Sequence, residues 1–439
     1  MRRLKLAWFV IGALTGCLAT LAAFIFLPPI IYRYMQEQPA APSTADGVKP
    51  GGKTPAAGAV ADCPELAAAE APWAPAVDGS GPAGPKKLEI PRGLRRRVDF
   101  WKDLWGKYPD NFYLFVDRRR PWIIHQKIDC RDLLQNGAAT NSYHKKCDRR
   151  LIIAKRKLRK KLRRQRRRPR RALLARYDNK RRLARRAWRN LLVIEGHTSS
   201  FDKALERLDE FGAHVERIFV SRGMPGVLSR VAIIESLANP QAVSPVGAVG
   251  AYQFVAGTAR QYLTVAGEVD ERLDPRRSGW AAANYLEELY REFKSWPLAL
   301  TAYNTGPNRL KRVVRRRRTR DIAKIADRGS VGSFGFDGQN YYAQLLAVIE
   351  LTTGERSPRP GGELGVFEVI EPAGIARLAE CLGMSVAELA ADNPALAQSI
   401  VSGEKPVPKG YLLAVIKDGQ KQPAAAGIFP PREQREQPD

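Results

Sequence analysis

Between Val231 and Phe254 the chain reads VAIIESLANPQAVSPVGAVGAYQF, one carboxylate inside an apolar stretch followed by a glycine-punctuated loop. Four apolar residues precede Glu235 and Leu237 follows, so a helix ending here sets the carboxyl at the inner end of a hydrophobic wall. That placement constrains the fold, because other apolar elements must enclose the segment and the Glu must find a partner or keep its proton. Burial disfavours the charged form and moves the pKa towards that of a general acid at neutral pH. A Glu near a helix end is more often solvated or ion-paired than catalytic, and the residues beyond it shift the balance. Ser236 adjoins it, Ser244 opens a turn, and Gly247 and Gly250 bracket Ala248 ahead of Gln253. Glycines so spaced permit close backbone approach to a ligand, and a glutamine offers both donor and acceptor. Farther on, ALTAYNTGPNRL sets Tyr303 and Asn304 where a helix must stop before Gly306 and Pro307. An aromatic face beside an amide suits a sugar ring bearing an N-acetyl group.

Taken in order, Glu235-Ser236, SPVGAVGAYQF, DPRRSGWAAANYLEEL and AYNTGP resemble the motifs of soluble-lytic-transglycosylase (SLT) domains of the lysozyme superfamily. The flanks HVERIFVSRGMPGVLSRVAIIES and FGFDGQNYYAQLLAVIEL resemble the membrane-bound lytic murein transglycosylase D branch, and the likeness covers Leu191 to Leu351. The resemblance implies a mainly α, lysozyme-like catalytic domain over residues 191–352. Its expected substrate is the peptidoglycan glycan strand, cut at the β-1,4 bond between N-acetylmuramic acid and N-acetylglucosamine with formation of a 1,6-anhydro product. The family motif assigns Glu235 as acid and then base, and Ser236 as the residue steering it or the substrate's acetamido group. Ser244, Gly247, Ala248, Gly250 and Gln253 are expected to hold glycan, and Tyr303 and Asn304 to border the reacting sugar. No metal and no cofactor is implied.

Two positions depart from the family pattern. Ala238 stands where an aromatic is usual, and FVAGT follows Gln253 where a proline is common. Most glycosidases use two carboxylates, yet Glu268, Asp270, Glu271 and Asp274 have no spacing that marks a partner for Glu235. A lytic transglycosylase needs only one, since the attacking group is the substrate's own 6-hydroxyl, held at high effective concentration. A hydrolytic muramidase of the goose-lysozyme type and a non-catalytic wall-binding scaffold are the alternatives.

At 439 residues and 44% apolar content the chain has room for further modules. Arg2, Arg3 and Lys5 precede an apolar run from Leu6 to Ile31, long enough to cross a bilayer. Positive charge on its N-terminal side orients the downstream chain away from the cytoplasm. Residues 1–35 are thus expected to be a signal anchor in the inner membrane, with the catalytic domain in the periplasm of a bacterial cell envelope. LTGC at Leu14 to Cys17 resembles a lipobox and makes a lipoprotein the alternative, against which the run stays apolar beyond Cys17. Residues 36–87, rich in Ala, Pro and Gly, read as a disordered tether, and residues 419–439 as a disordered tail.

Residues 88–190 read as a basic, mostly helical arm broken at Pro169. Arg149 to Arg189 holds 22 Lys or Arg against one acid, Asp178, and so carries most of the formal +28. Behind an export signal such a run meets anionic lipid headgroups, lipopolysaccharide phosphates or peptidoglycan carboxylates rather than nucleic acid; a solvated spacer is the other reading. Cys130 and Cys147 flank a short loop and suit a disulfide in an oxidising compartment. With His125 and His144 they make only a loose zinc-like set. Cys63 falls in the tether, and Cys381 lies in a helical pattern that suits a buried thiol. Residues 363–418 read strand, helix, helix, strand, and with Asn393-Pro394 resemble a degenerate LysM module, a small sugar-binding fold. Ile370, Glu371 and Pro372 replace its usual Gly-Asp-Thr, which leaves a packing appendage as the alternative.

Overall fold

A computed structural model describes residues 63–73, 88–133, 140–328, 334–353 and 363–417. The Leu6–Ile31 run, the 419–439 tail and most of the 36–87 tether lie outside the described residues. Among the described residues no helix is long and apolar enough to cross a membrane. The chain divides into two units, one containing Pro72–Arg359 with Pro394–Ser399, the other containing the stretch up to Ala71, Pro360–Asn393 and the stretch from Ile400.

The first unit is mainly helical. Thr198–Ser221 buries Phe201, Ala204, Leu208, Phe211, Val215 and Ile218, a three-to-four-residue spacing that puts them on one face. Pro275–Phe293 starts where the Asp274 side chain accepts from the amides of Arg276 and Arg277 and a proline takes the first turn. Trp296–Thr305 packs on it, and Phe336–Thr352 packs in turn on Trp296–Thr305, on Arg95–Gly106 and on the short Val231–Ser236 helix. Val231, Ala232 and Ile233 therefore sit inside one apolar core with residues from all of these.

A three-stranded antiparallel sheet, ordered Arg120–Asp129, Phe112–Asp117, Leu191–Glu195, lies against this core. Its central strand FYLFVD is apolar on both faces. Leu114 and Val116 enter the helical core, while Tyr113 and Phe115 enter a second cluster with Cys130, Cys147, Leu151, Leu158 and Leu162. Such two-sided burial marks a strand covered on both faces.

Two expectations are corrected here. The basic region is helical over Thr140–Arg164 and Arg171–Arg176, with Pro169 in the break, but it is no free-standing arm. Its leucines cover the outer face of the sheet, and Cys130 and Cys147 are joined by a disulfide. Those sulfurs are thus not thiolates available to a metal. Nor does the packing divide at residue 190, since Leu191–Glu195 pairs with Phe112–Asp117 and Leu94, Val98, Trp101 and Leu104 belong to the helical core. A high density of Lys and Arg hid the regular apolar positions between them.

The second unit is a three-stranded antiparallel sheet, Leu66–Ala68, Glu363–Val369, Leu412–Lys417, with the helices Ile375–Cys381 and Val386–Asp392. Ser385 and Glu388 form a reciprocal capping box. The buried Asn393 side chain donates to the carbonyls of Leu389 and Ala414 and accepts from the Ala414 amide, fastening helix to strand. Within the expected tether, Cys63 begins a segment that adds the outer strand, and Cys63 is disulfide-bonded to Cys381. Cys381 is consequently not a free thiol. A pairing across 318 residues leaves no trace in local composition.

Candidate active site

Glu235 occupies the last turn of Val231–Ser236. The helix cannot continue, because Leu237 and Ala238 both adopt left-handed backbone, φ 57° and 53°. Their amides return to the carbonyls of Ile233 and Ala232, the closure usually supplied by glycine. Two non-glycine residues in this region store strain on the order of 1 kcal/mol each, and the surrounding core holds it. Ala238 is fully enclosed. Its departure from the family aromatic therefore alters packing beneath the loop, not the lining of an open cleft.

The Glu235 carboxyl is ringed by protein although part of the residue remains accessible. Burial pushes its pKa up to about 7, opposed by one hydrogen bond from Tyr341. Tyr341 comes from Phe336–Thr352 and donates to Glu235 Oε1 at 2.6 Å. Glu235 makes no ion pair among the described residues.

Tyr303 donates to the Tyr252 carbonyl at 2.9 Å. Burial, and then the nearby Glu235 charge, holds the hydroxyls of Tyr303 and Tyr341 well above the ordinary phenol value. Both remain protonated donors within electrostatic reach of Glu235. The Tyr303 ring meets Phe254 edge-on at 6.0 Å and Tyr285 at 5.5 Å, and Tyr285 meets Tyr262 at 6.3 Å. Tyr262, Tyr285 and Tyr303 are half-buried, so the cluster offers partly open aromatic surface beside the acid. Asn304 is half-buried in the same helix end.

The loop after Glu235 is tied mostly to itself. Ser236 Oγ donates to the Ala251 carbonyl at 2.8 Å and accepts from the Asn239 amide at 3.0 Å, so its proton is committed to loop closure. Ser244 Oγ accepts from the Ala248 amide, and Ala248 begins the strand Ala248–Val249 that pairs with Phe254–Val255. Gln253 Nε2 donates to the carbonyls of Ala242 and Gly250, while its buried Oε1 is left without a partner. The two glycines differ. At Gly250, φ +82°, a Cβ would stand 1.8 Å from the Arg272 carbonyl oxygen; at Gly247, φ +76°, it would meet open space. Gly250 is thus bare for a neighbouring backbone and not for a ligand. Arg272, paired with Asp270 at 2.7 Å, donates to the carbonyls of Gly247 and Phe254 and staples the loop from below.

Glu235 and Tyr303 are accordingly brought together with the aromatic cluster, while Ser236, Ser244 and the amide donors of Gln253 face inward as scaffold. Tyr341, Tyr262 and Tyr285 escaped the sequence reading. The adjacent tyrosines in GQNYYAQLL were the available signal for Tyr341, since a phenol in an apolar helix needs a polar partner. Glu271 pairs with Arg277, Asp270 with Arg272 and Asp274 with both Arg276 and Arg277, so these acids serve the scaffold. Glu268 accepts from Ser399.

Residues 220–326 match the family model for the transglycosylase SLT domain. Membrane-bound lytic murein transglycosylase D of Escherichia coli K12 is 28% identical over 203 residues, 43% of this chain and 44% of that protein, and its counterpart in strain O6:H1 matches equally. Peptidoglycan transglycosylase gp16 of Escherichia phage T7 is 34% identical over 151 residues, 34% of this chain and 10% of that protein. The chain therefore spans less than half the length of the curated relatives it matches. Glu235, its loop and the Tyr303–Asn304 helix end all fall inside the matched residues, and this chain thus carries a transglycosylase SLT domain.

Proposed function

We propose that the protein is a peptidoglycan lytic transglycosylase in which Glu235 acts alone, first as acid and then as base. The observation that carries this reading is one carboxyl held near neutrality without an ionic partner, beside partly open aromatic surface. Tyr341 donates to Oε1, which leaves Oε2 to carry the transferable proton. That proton goes to the glycosidic oxygen as the bond to N-acetylglucosamine breaks. The carboxylate then removes the proton of the muramic 6-hydroxyl, which closes on C1 to give the 1,6-anhydro ring. The half-buried Tyr303 face suits a sugar contact, and the half-buried Asn304 next to it in the chain suits an acetamide.

The setting we infer is the bacterial cell envelope, with the Leu6–Ile31 run as anchor. Four of the five cysteines lie in two disulfides, which accords with an oxidising compartment. The strand-helix-helix-strand module is taken as an accessory glycan-binding element of the LysM kind. Digestion of purified peptidoglycan by the full chain beside Glu235→Gln, with products read by mass spectrometry, tests the reading. Anhydro-muropeptides from the first and none from the second are expected. Reducing-end products would replace it with a muramidase, and binding without cleavage would replace it with a scaffold.

A further inference from the structure

The basic helix has a surface that the proposed chemistry does not use. Cys147, Leu151, Leu158 and Leu162 fix one side of Thr140–Arg164 to the sheet, and the Cys130–Cys147 disulfide fixes its rotation. The opposite side is then set by helical periodicity: Arg149, Ile152, Ile153, Arg156, Lys160 and Arg164 follow one another at spacings that share a face. All six are exposed. Ile152 and Ile153 are 50% and 44% exposed, and among the described residues only Val220, Val243 and Val255 are large apolar side chains left comparably open. Asp132 pairs with Arg150 and Asp178 with Arg96, and the helix itself carries a single acid, the half-buried Asp148, against this row of cations. At about 1.5 Å per residue, this helix lies along roughly 38 Å of surface.

We propose that this face docks on a bilayer of anionic phospholipids, with Ile152 and Ile153 entering the headgroup region and the surrounding cations pairing with phosphates. A soluble polyanion needs only the cations, and leaves two isoleucines facing water at mid-helix. An anionic bilayer interface satisfies both, since a helix lying in its plane buries an apolar pair while its basic flanks meet the surface charge. The surface is independent of the transglycosylase reading, because none of these residues belongs to the Glu235 site.

Total membrane binding of the full chain is not a usable readout, as the Leu6–Ile31 run is itself apolar enough to hold it to a lipid surface. The test is local. The full chain is held in nanodiscs of phosphatidylcholine alone or mixed with phosphatidylglycerol, and acylation of Lys160 by a water-soluble ester is followed by mass spectrometry, with exposed Lys324 as reference. Lys160 is expected to react about fivefold more slowly on the anionic discs, and the protection to fade in high salt. The Ile152→Ser, Ile153→Ser double variant, altered only at exposed positions, is expected to lose most of that protection. Equal reactivity on both discs overturns the proposal. Protection that is indifferent to the isoleucines, or matched by soluble heparin in place of lipid, also overturns it and assigns a polyanion site instead.

Discussion

Glu235 and Asp274 are both enclosed by protein in the same helical unit, yet their proton affinities move in opposite directions. Burial pushes each upward. Asp274, with no solvent exposure, sits ahead of a helix start, where it accepts from the amides of Arg276 and Arg277 and pairs with both guanidiniums at 3.4 and 3.2 Å. Those contacts outweigh burial and bring it below the usual carboxylate range. Glu235 lies at the carbonyl end of its helix and receives one neutral phenol, so burial prevails and it rises to about 7. Enclosure by itself does not set the direction in which a carboxyl's proton affinity moves; the presence or absence of a cation beside it does.

Exchanging the carboxylates for neutral groups separates the two regions most sharply. Glu235→Gln is expected to cost at least about 10³-fold in release of anhydro product, as befits loss of a general acid and base, with thermal stability retained. Asp274→Ala should do the reverse kind of damage, destabilising the fold by about 3–5 kcal/mol in denaturant titration because two buried guanidiniums lose their shared carboxylate and the helix loses its cap, although Glu271 still pairs with Arg277. If Asp274→Ala abolished turnover while leaving stability intact, the contrast between a catalytic and a structural carboxylate would be broken.

Much of this contrast was legible in the chain and part was not. An apolar run ending in Glu, glycine, and a Tyr-Asn helix stop are local patterns, and each appears where periodicity placed it. What Glu235 touches is set by Tyr341, 106 residues away, and no local pattern reports that distance. The same limit explains Cys63, whose partner is Cys381, and the basic region, whose apolar leucines recur at long intervals among cations. Charge density read as solvent exposure there, although the helix is half covered. Ser236 and Gly250 are subtler cases, because their residue types suited ligand contact while their neighbours, Ala251 and Arg272, had already claimed them.

The two loop glycines sharpen that last point. Gly250→Ala forces a Cβ against the Arg272 carbonyl in addition to a left-handed backbone, and is expected to cost about 3 kcal/mol or more of stability. Gly247→Ala meets open space and pays only the backbone term, about 1 kcal/mol. Equal losses in parallel thermal melts would mean that the Arg272 backbone does not press against Gly250.

The smallest effect bears most directly on why Glu235 titrates where it does. With Glu235 as the proposed acid, the rate is expected to fall as pH rises through about 7. Tyr341 favours the carboxylate, so Tyr341→Phe should move the falling limb of the pH–rate profile upward, by less than a unit, along with a modest loss of rate from looser positioning. Stability carries the same sign. A carboxyl raised from 4.5 to about 7 on folding contributes stability that is complete below the unfolded value and is lost as pH climbs through the folded one. Glu235→Gln cannot ionise, so the difference in melting temperature between it and the parent should change between pH 4.5 and 7 and then level off. Tyr341→Phe should deepen that change. A limb that moved down in Tyr341→Phe, or a melting difference flat across the window, would mean that something other than burial sets the proton on Glu235.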